Sequence, residues 1–104
     1  FMEIDQNGPM TITMNQVNTS GTGIDVDFAL WGPYTSLAAG CGAGTFPAGS
    51  AVDCSYSTAA SETATIPNAT IGQFYILLLT NYANQAGTIS FSSNLAKTNL
   101  SIVL

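Results

Sequence analysis

Two aspartates, Asp25 and Asp27, stand one residue apart in the stretch GIDVDFALWGPY, in a chain that has only six acidic residues. A hard divalent cation such as calcium takes about six to eight oxygen ligands, and a bound ion would cancel the repulsion between the two carboxylates. Glu3, Asp53 and Asn81 are further sources of oxygen ligands. The pair therefore predicts a calcium site formed by Asp25, Asp27, Asp53 and Asn81.

A second interpretation of the aspartate pair needs no ion. Both carboxylates would accept hydrogen bonds from loop backbone or from hydroxyl groups at a strand edge, where their charges also oppose edge-to-edge aggregation. The ligand spacing of an EF-hand loop is missing from the chain, and its absence favours this second interpretation.

The same carboxylates are also candidates for the acid and base of a glycosidase. On one strand face their Cα atoms would lie roughly 7 Å apart, in a domain too small for the usual active-site cleft. The chain has no histidine and one cation, Lys97, so a nucleophile would find no partner base. The sequence predicts a protein that is not an enzyme.

The aromatic residues offer a different kind of site. Trp31 and Tyr34 flank Gly32-Pro33 and, with Tyr56 and Tyr82, would form an exposed platform that stacks on sugar rings. Such amphipathic side chains are more often buried in a core, with the polar atom hydrogen-bonded to the backbone. The core interpretation is favoured, and a sugar-binding role for Trp31 and Tyr34 is the alternative.

Two cysteines, Cys41 and Cys54, lie in a long excursion of small residues at 35–63. With no histidine to complete a zinc site, the cysteine count predicts a disulfide that ties this excursion down and implies an oxidising compartment. Two free thiols are the alternative.

Charge limits the partners. The net charge is −5, so nothing in the chain forms the basic surface that binds nucleic acid. The longest apolar run, FYILLL at 74–79, is far shorter than the roughly 20 residues that span a bilayer. No cofactor other than calcium is expected, and no transmembrane segment.

Period-two patterning predicts an all-β fold. FMEIDQ, Asn7-Gly8 and PMTITMNQV read as a hairpin with a tight turn. The run at 74–79 is apolar on both faces and is predicted to be a central strand that is covered on both sides. Seven or eight short strands with frequent turns match an antiparallel β-sandwich or jelly roll, forming one domain over residues 1–104.

The last segment, TNLSIVL at 98–104, is predicted to be a strand. Because it ends the chain with the apolar residues Leu100, Ile102 and Leu104, it is a candidate for pairing with a neighbouring subunit by strand addition.

Three motifs together carry a family resemblance: DVDFALWGPY, then CG and DCSYS, then IPNATIGQFYILLLTNYANQAGTISFS. The combination resembles a module repeated in very large secreted surface proteins of gliding, type IX-secreting bacteria, and more distantly the pre-peptidase C-terminal and CUB-like β-sandwiches. The resemblance covers residues 1 to about 93. NLAKTNLSIVL departs from it, since such modules often carry a further cysteine near their end.

The resemblance implies a non-catalytic spacer, binding or assembly domain, and some CUB-like modules bind calcium through acidic residues. We therefore expect an extracellular structural or adhesive module of a cell-surface or filament-forming protein, one segment of a longer multidomain chain. Its expected partners are neighbouring copies or domains of the same protein, and glycans. The alternative is a calcium-dependent carbohydrate-binding or accessory domain of a secreted enzyme.

Overall fold

The computed structural model describes residues 1–94 and 100–103 of the chain. Eight strands, one short α-helix and one 3-10 turn at Ala48–Ser50 form the described part. In chain order the strands and the α-helix are β1 (Met2–Glu3), β2 (Gly8–Asn18), β3 (Asp27–Tyr34), α1 (Leu37–Cys41), β4 (Asp53–Ser55), β5 (Ser61–Ala69), β6 (Phe74–Thr80), β7 (Gly87–Ser93) and β8 (Leu100–Val103).

The strands form two four-stranded antiparallel sheets. We call β1-β6-β3-β4 the first sheet and β5-β2-β7-β8 the second sheet, each written in spatial order. Together they bury one apolar core. The prediction of an all-β sandwich with seven or eight strands is confirmed.

Alternation along β2 shows how the sequence builds this core. Met10, Ile12 and Met14 are buried, while Thr11 and Thr13 between them are exposed. Successive side chains of a strand point to opposite faces, so one face of β2 packs inward and the other meets water. The facing sheet contributes chiefly Val26, Phe28, Leu30 and Tyr75. Full burial of one such side chain stabilises the fold by about 1.5–3 kcal/mol.

The predicted hairpin at Asn7-Gly8 is wrong. β1 pairs with β6 in the first sheet, whereas β2 lies in the second sheet between β5 and β7. Ile4 is buried in the core, and its backbone bonds to Gln73 and Gly72 hold this end of the chain beside β6. Burial of Ile4 between the sheets requires the chain to cross from one layer to the other before β2 begins.

The excursion at 35–63 packs against the first sheet without a disulfide. Cys41 ends α1, Cys54 lies in β4, and both are exposed free thiols, so the predicted Cys41–Cys54 bond is not formed. Hydrogen bonds tie the segment instead. The Trp31 ring nitrogen donates to the carbonyl of Pro47 at 3.0 Å, and the Val52 amide donates to the Leu30 carbonyl at 2.7 Å.

The prediction for β6 holds for one face only. Tyr75 on its inner face is buried, but Leu78 on the outer face is 48% exposed. Part of the outer face of the first sheet is therefore apolar and uncovered, and it lies beside the start of β3, where Asp27 pairs with Thr80.

Candidate functional site

The aspartate pair lies where the chain crosses from the second sheet to the first. Asp27 opens β3, and Asp25 precedes the strand in a connecting segment. In that segment the Ile24 amide donates to the Gln16 carbonyl at 3.0 Å, and the Val26 amide donates to the Ala59 carbonyl at 3.3 Å. These two bonds bring the aspartates close to the end of β2.

Three buried side-chain oxygens in the described part of the chain accept no hydrogen bond: Oε1 of Gln16, Oδ1 of Asp25 and Oδ1 of Asp27. We call these three residues the oxygen cluster. Gln16 is fully buried and Asp27 is 7% exposed. An unpaired buried acceptor costs about 1–3 kcal/mol, and more when it is charged, so a cation near the two carboxylates would relieve part of that cost.

A chain of hydrogen bonds determines which Gln16 atom is left free. The Asn81 side-chain nitrogen donates to the carbonyl of Gln85 at 2.8 Å, which turns the Asn81 oxygen toward Gln16. The Gln16 nitrogen donates to that oxygen at 2.5 Å. Because its nitrogen is used in this way, Gln16 keeps its oxygen unpaired.

Burial raises the pKa of the Asp27 carboxyl group, and the negative charges of Asp25 and Glu62 raise it further. The carboxylate form of Asp27 is therefore disfavoured in the folded protein by lost hydration first and by like charge second. Both effects would be relieved by a bound cation.

The other predicted ligands lie elsewhere or act differently. Asp53 pairs with Leu30, three residues along β3 from Asp27 and so roughly 10 Å away. Both of its oxygens are occupied, since they accept from the amides of Cys54 and Thr65. Asp53 thus links β4 to the edge of β5 and takes no part in the oxygen cluster.

Glu3 and Asn81 also depart from the predicted roles. Glu3 pairs with Phe74, at the opposite end of β6 from Thr80 and roughly 20 Å away by strand rise. Asn81 orients Gln16 with one amide atom and holds the following turn with the other. Among the described residues, no group of three or more acidic, cysteine or histidine side chains is arranged to hold a metal ion.

The alternative platform at Trp31 and Tyr34 is not formed, and Trp31 is buried with its polar atom on backbone, as the favoured core interpretation expects. Trp31 is 6% exposed, its ring nitrogen is bonded to Pro47, and its ring centroid lies 5.5 Å from that of Phe46. Tyr34 is half-buried beside α1 and touches Gly40. Both side chains fasten the excursion to the first sheet.

The other two tyrosines of that prediction are exposed and share a groove. Tyr56 is 76% exposed and Tyr82 is 72% exposed. They line a cavity of about 290 Å³ on the outer face of the first sheet. We call it the tyrosine groove and define it by Asp27, Ala29, Tyr56, Leu78, Thr80 and Tyr82.

Gln16 is the residue of the oxygen cluster that sequence reasoning missed, although the sequence holds its signal. The alternation that buries Met10, Ile12 and Met14 continues to position 16. It therefore directs a glutamine side chain into the core end, where a polar group needs a partner.

Comparison of the chain with protein-family models, with curated proteins and with solved structures finds no match. Within the described residues, neither the length nor the hydropathy of any helix suits a membrane crossing. The class of protein defined by these features is a two-sheet antiparallel β-sandwich, and its described part has three buried side-chain oxygens that accept no hydrogen bond.

Proposed function

We propose that the chain is a non-catalytic structural and adhesive module of an extracellular or cell-surface protein, and that a calcium ion stabilises its binding end. The observation that carries the calcium site is the oxygen cluster, in which Gln16, Asp25 and Asp27 each leave a buried oxygen without a donor. The non-catalytic role is supported by the composition, because the chain has no histidine to serve as a base.

Calcium fits the chemistry of the cluster better than other common ions. Its ligands are carboxylate and amide oxygens, with distances of about 2.3–2.6 Å and flexible geometry. Asp25 and Asp27 supply charge, and Gln16 supplies a neutral oxygen whose orientation Asn81 fixes. Magnesium demands a near-octahedral shell and gives up its water reluctantly, so it suits a partly buried, irregular set of oxygens less well.

Thermal unfolding tests the calcium site directly. A ligand that binds only the folded state at 100 times its Kd adds about 2.7 kcal/mol to the free energy of unfolding. For a domain of this size Tm should then rise by roughly 10–20 °C. The measurement is a melting curve in calcium and in chelator, with magnesium as the comparison ion. A Tm that is the same in calcium and in chelator would contradict the proposal.

Assembly through a sheet edge is the second candidate function, and the position of β8 favours it. β8 pairs with β7 of its own chain and forms the outer strand of the second sheet. At the opposite side of the sandwich the Asp53 carboxylate accepts from the Thr65 amide and so occupies the β5 edge. Val103 is 81% exposed on β8, so this edge is the place for a neighbour's strand to add.

This placement changes how the C-terminal strand would act. The sequence prediction made Leu100, Ile102 and Leu104 a strand donated to a neighbour. Leu100 and Ile102 lie in β8, which is paired with β7 of the same chain, and Leu104 lies outside the described residues. β8 is thus an acceptor edge, and donation would require exchange with a neighbour's β8.

Oligomeric state tests the assembly candidate. Light scattering over a range of concentrations should show growth of the intact chain beyond a monomer, and deletion of residues 98–104 should abolish that growth because it removes the β8 edge. A chain that stays monomeric at every concentration would contradict assembly and would leave the calcium proposal untouched.

A further inference from the structure

The tyrosine groove is built symmetrically around the start of β3. β3 lies between β4 and β6, and each neighbour ends near a tyrosine. Phe28 pairs with Ser55, so the next position along brings Tyr56 level with Asp27. Asp27 pairs with Thr80, so the same register brings Tyr82 level with Asp25. The two rings therefore flank the aspartates from both sides.

The groove combines apolar walls with hydrogen-bond acceptors. Ala29 and Leu78 supply the apolar surface between the two rings. Asp27 lines the same groove and supplies a carboxylate there, with 7% of the residue exposed. The hydroxyl of Thr80 donates to the Asp27 backbone carbonyl at 3.4 Å. A ligand that fits must bring both an apolar face and hydrogen-bond donors.

We propose that the tyrosine groove binds one pyranose ring of a carbohydrate, with Tyr56 and Tyr82 packing on the C–H faces of the ring and Asp27 accepting from its hydroxyl groups. This inference deepens the adhesive role proposed above and rests on it. The volume of about 290 Å³ lies at the lower end of the roughly 300–1,000 Å³ usual for small-molecule sites, which suits a single ring of a longer glycan.

The position of the groove argues against a peptide strand as the occupant. A peptide that adds to a sheet needs the unpaired backbone groups of an edge strand. The groove lies over β3, whose residues 28–30 are paired with both β4 and β6. A ligand on this face is held by side chains alone.

Calcium in the oxygen cluster would strengthen the preference for a neutral, hydroxyl-bearing ligand. Once the ion neutralises Asp25 and Asp27, the groove keeps no uncompensated negative charge that would select an organic cation.

Two other cavities in the described part of the chain lack this combination. One of about 270 Å³ is lined by Pro33, Val52, Ile66 and Tyr75 among others, and contains no carboxylate. One of about 180 Å³ on the outer face of β2 and β7 is lined by small polar side chains, Met14 and Phe91. Neither of the two places a carboxylate between exposed rings.

The test measures binding of the intact chain to a panel of immobilised mono- and oligosaccharides in calcium buffer. We expect at least one pyranose ligand to bind, and both Tyr56→Ala and Tyr82→Ala to weaken that binding by at least about tenfold. Ile71→Ala is the matched control, because Ile71 is 60% exposed, lies outside the groove and should leave binding unchanged. Melting curves of each variant in calcium confirm that the fold and the ion response are intact.

Each outcome separates the two proposals. A calcium-dependent Tm with no binding to any sugar overturns the groove inference and leaves the calcium site standing. Sugar binding that survives both tyrosine variants also overturns it, as does selective binding of choline chloride in the same assay. If both variants lose sugar binding and calcium does not change Tm, the groove inference is supported and the calcium site is contradicted.

Discussion

The side-chain nitrogen of Gln16 donates to the side-chain oxygen of Asn81 across 2.5 Å, between residues that lie 65 positions apart in the chain. This bond joins the end of β2 in the second sheet to the turn that follows β6 in the first. It also leaves the Gln16 oxygen as one of the three unpaired oxygens of the cluster. The proposed calcium site and the closure of the sandwich therefore involve the same side chain.

Asn81→Ala should lower both stability and calcium affinity. The substitution removes the acceptor for Gln16 and the donor to the Gln85 carbonyl, at a cost of about 1 kcal/mol for each lost bond. With Gln16 free to rotate, the calcium-dependent rise in Tm should shrink. Asn68→Ala is the control, because Asn68 is exposed and lies away from the cluster. Equal calcium responses in the two variants would argue against an orienting role for Asn81.

Asp27→Asn should have opposite effects with and without calcium. Without the ion it removes a buried charge that is disfavoured by desolvation and by Asp25 and Glu62, so Tm should rise by a few degrees. With the ion it removes a charged ligand, so the calcium-dependent gain should be lost. Asp5→Asn, at an exposed position, should change neither value. A variant that keeps the full calcium response would exclude Asp27 as a ligand.

The raised pKa of Asp27 also predicts a pH dependence in chelator. Its folded pKa lies above the ordinary value of 3.8, so between the two values the folded protein binds more protons than the unfolded chain. The contribution of Asp27 to the free energy of unfolding is then greatest at pH values near and below the ordinary pKa. It is lost as the pH rises through the folded pKa. The difference in unfolding free energy between the wild type and Asp27→Asn should follow this curve. A difference that does not change with pH would contradict it.

Gly87→Ala should destabilise the sandwich strongly. Gly87 pairs with Asn18 at the start of β7, and a Cβ atom there would meet the carbonyl oxygen of Val17. Because the obstacle is backbone of the neighbouring strand, relief requires the β2–β7 pairing to shift, at a cost of about 1–3 kcal/mol or more. Urea unfolding measures the change. Gly49→Ala is the matched control, since no heavy atom lies near its Cβ position.

The two cysteines should react as free thiols in the folded protein. Cys41 and Cys54 are both exposed, so a colorimetric thiol reagent should titrate two groups per chain without denaturant. Addition of a reducing agent should leave Tm unchanged. A native mass two hydrogens lower than the reduced mass, with no reactive thiol, would show that the bond absent from the structure forms in solution.

The sequence determined the fold class because strand alternation is a local property. Threonines alternate with Met10, Ile12 and Met14, and that pattern alone directs one face of β2 into a core. The same alternation directs the side chain of Gln16 toward the core, so its burial could be predicted from the sequence.

The tertiary structure decided which strands pair and which polar groups meet. Asn7-Gly8 has the residues of a tight turn, yet burial of Ile4 beside β6 places β1 and β2 in different sheets. Trp31 and Tyr56 are equally aromatic in sequence, but the excursion covers one and leaves the other in the groove. Gln16 and Asn81 meet only because the two stacked sheets bring the end of β2 to the turn after β6. Such contacts join distant positions, and their free energy depends on packing that no local pattern of residues encodes.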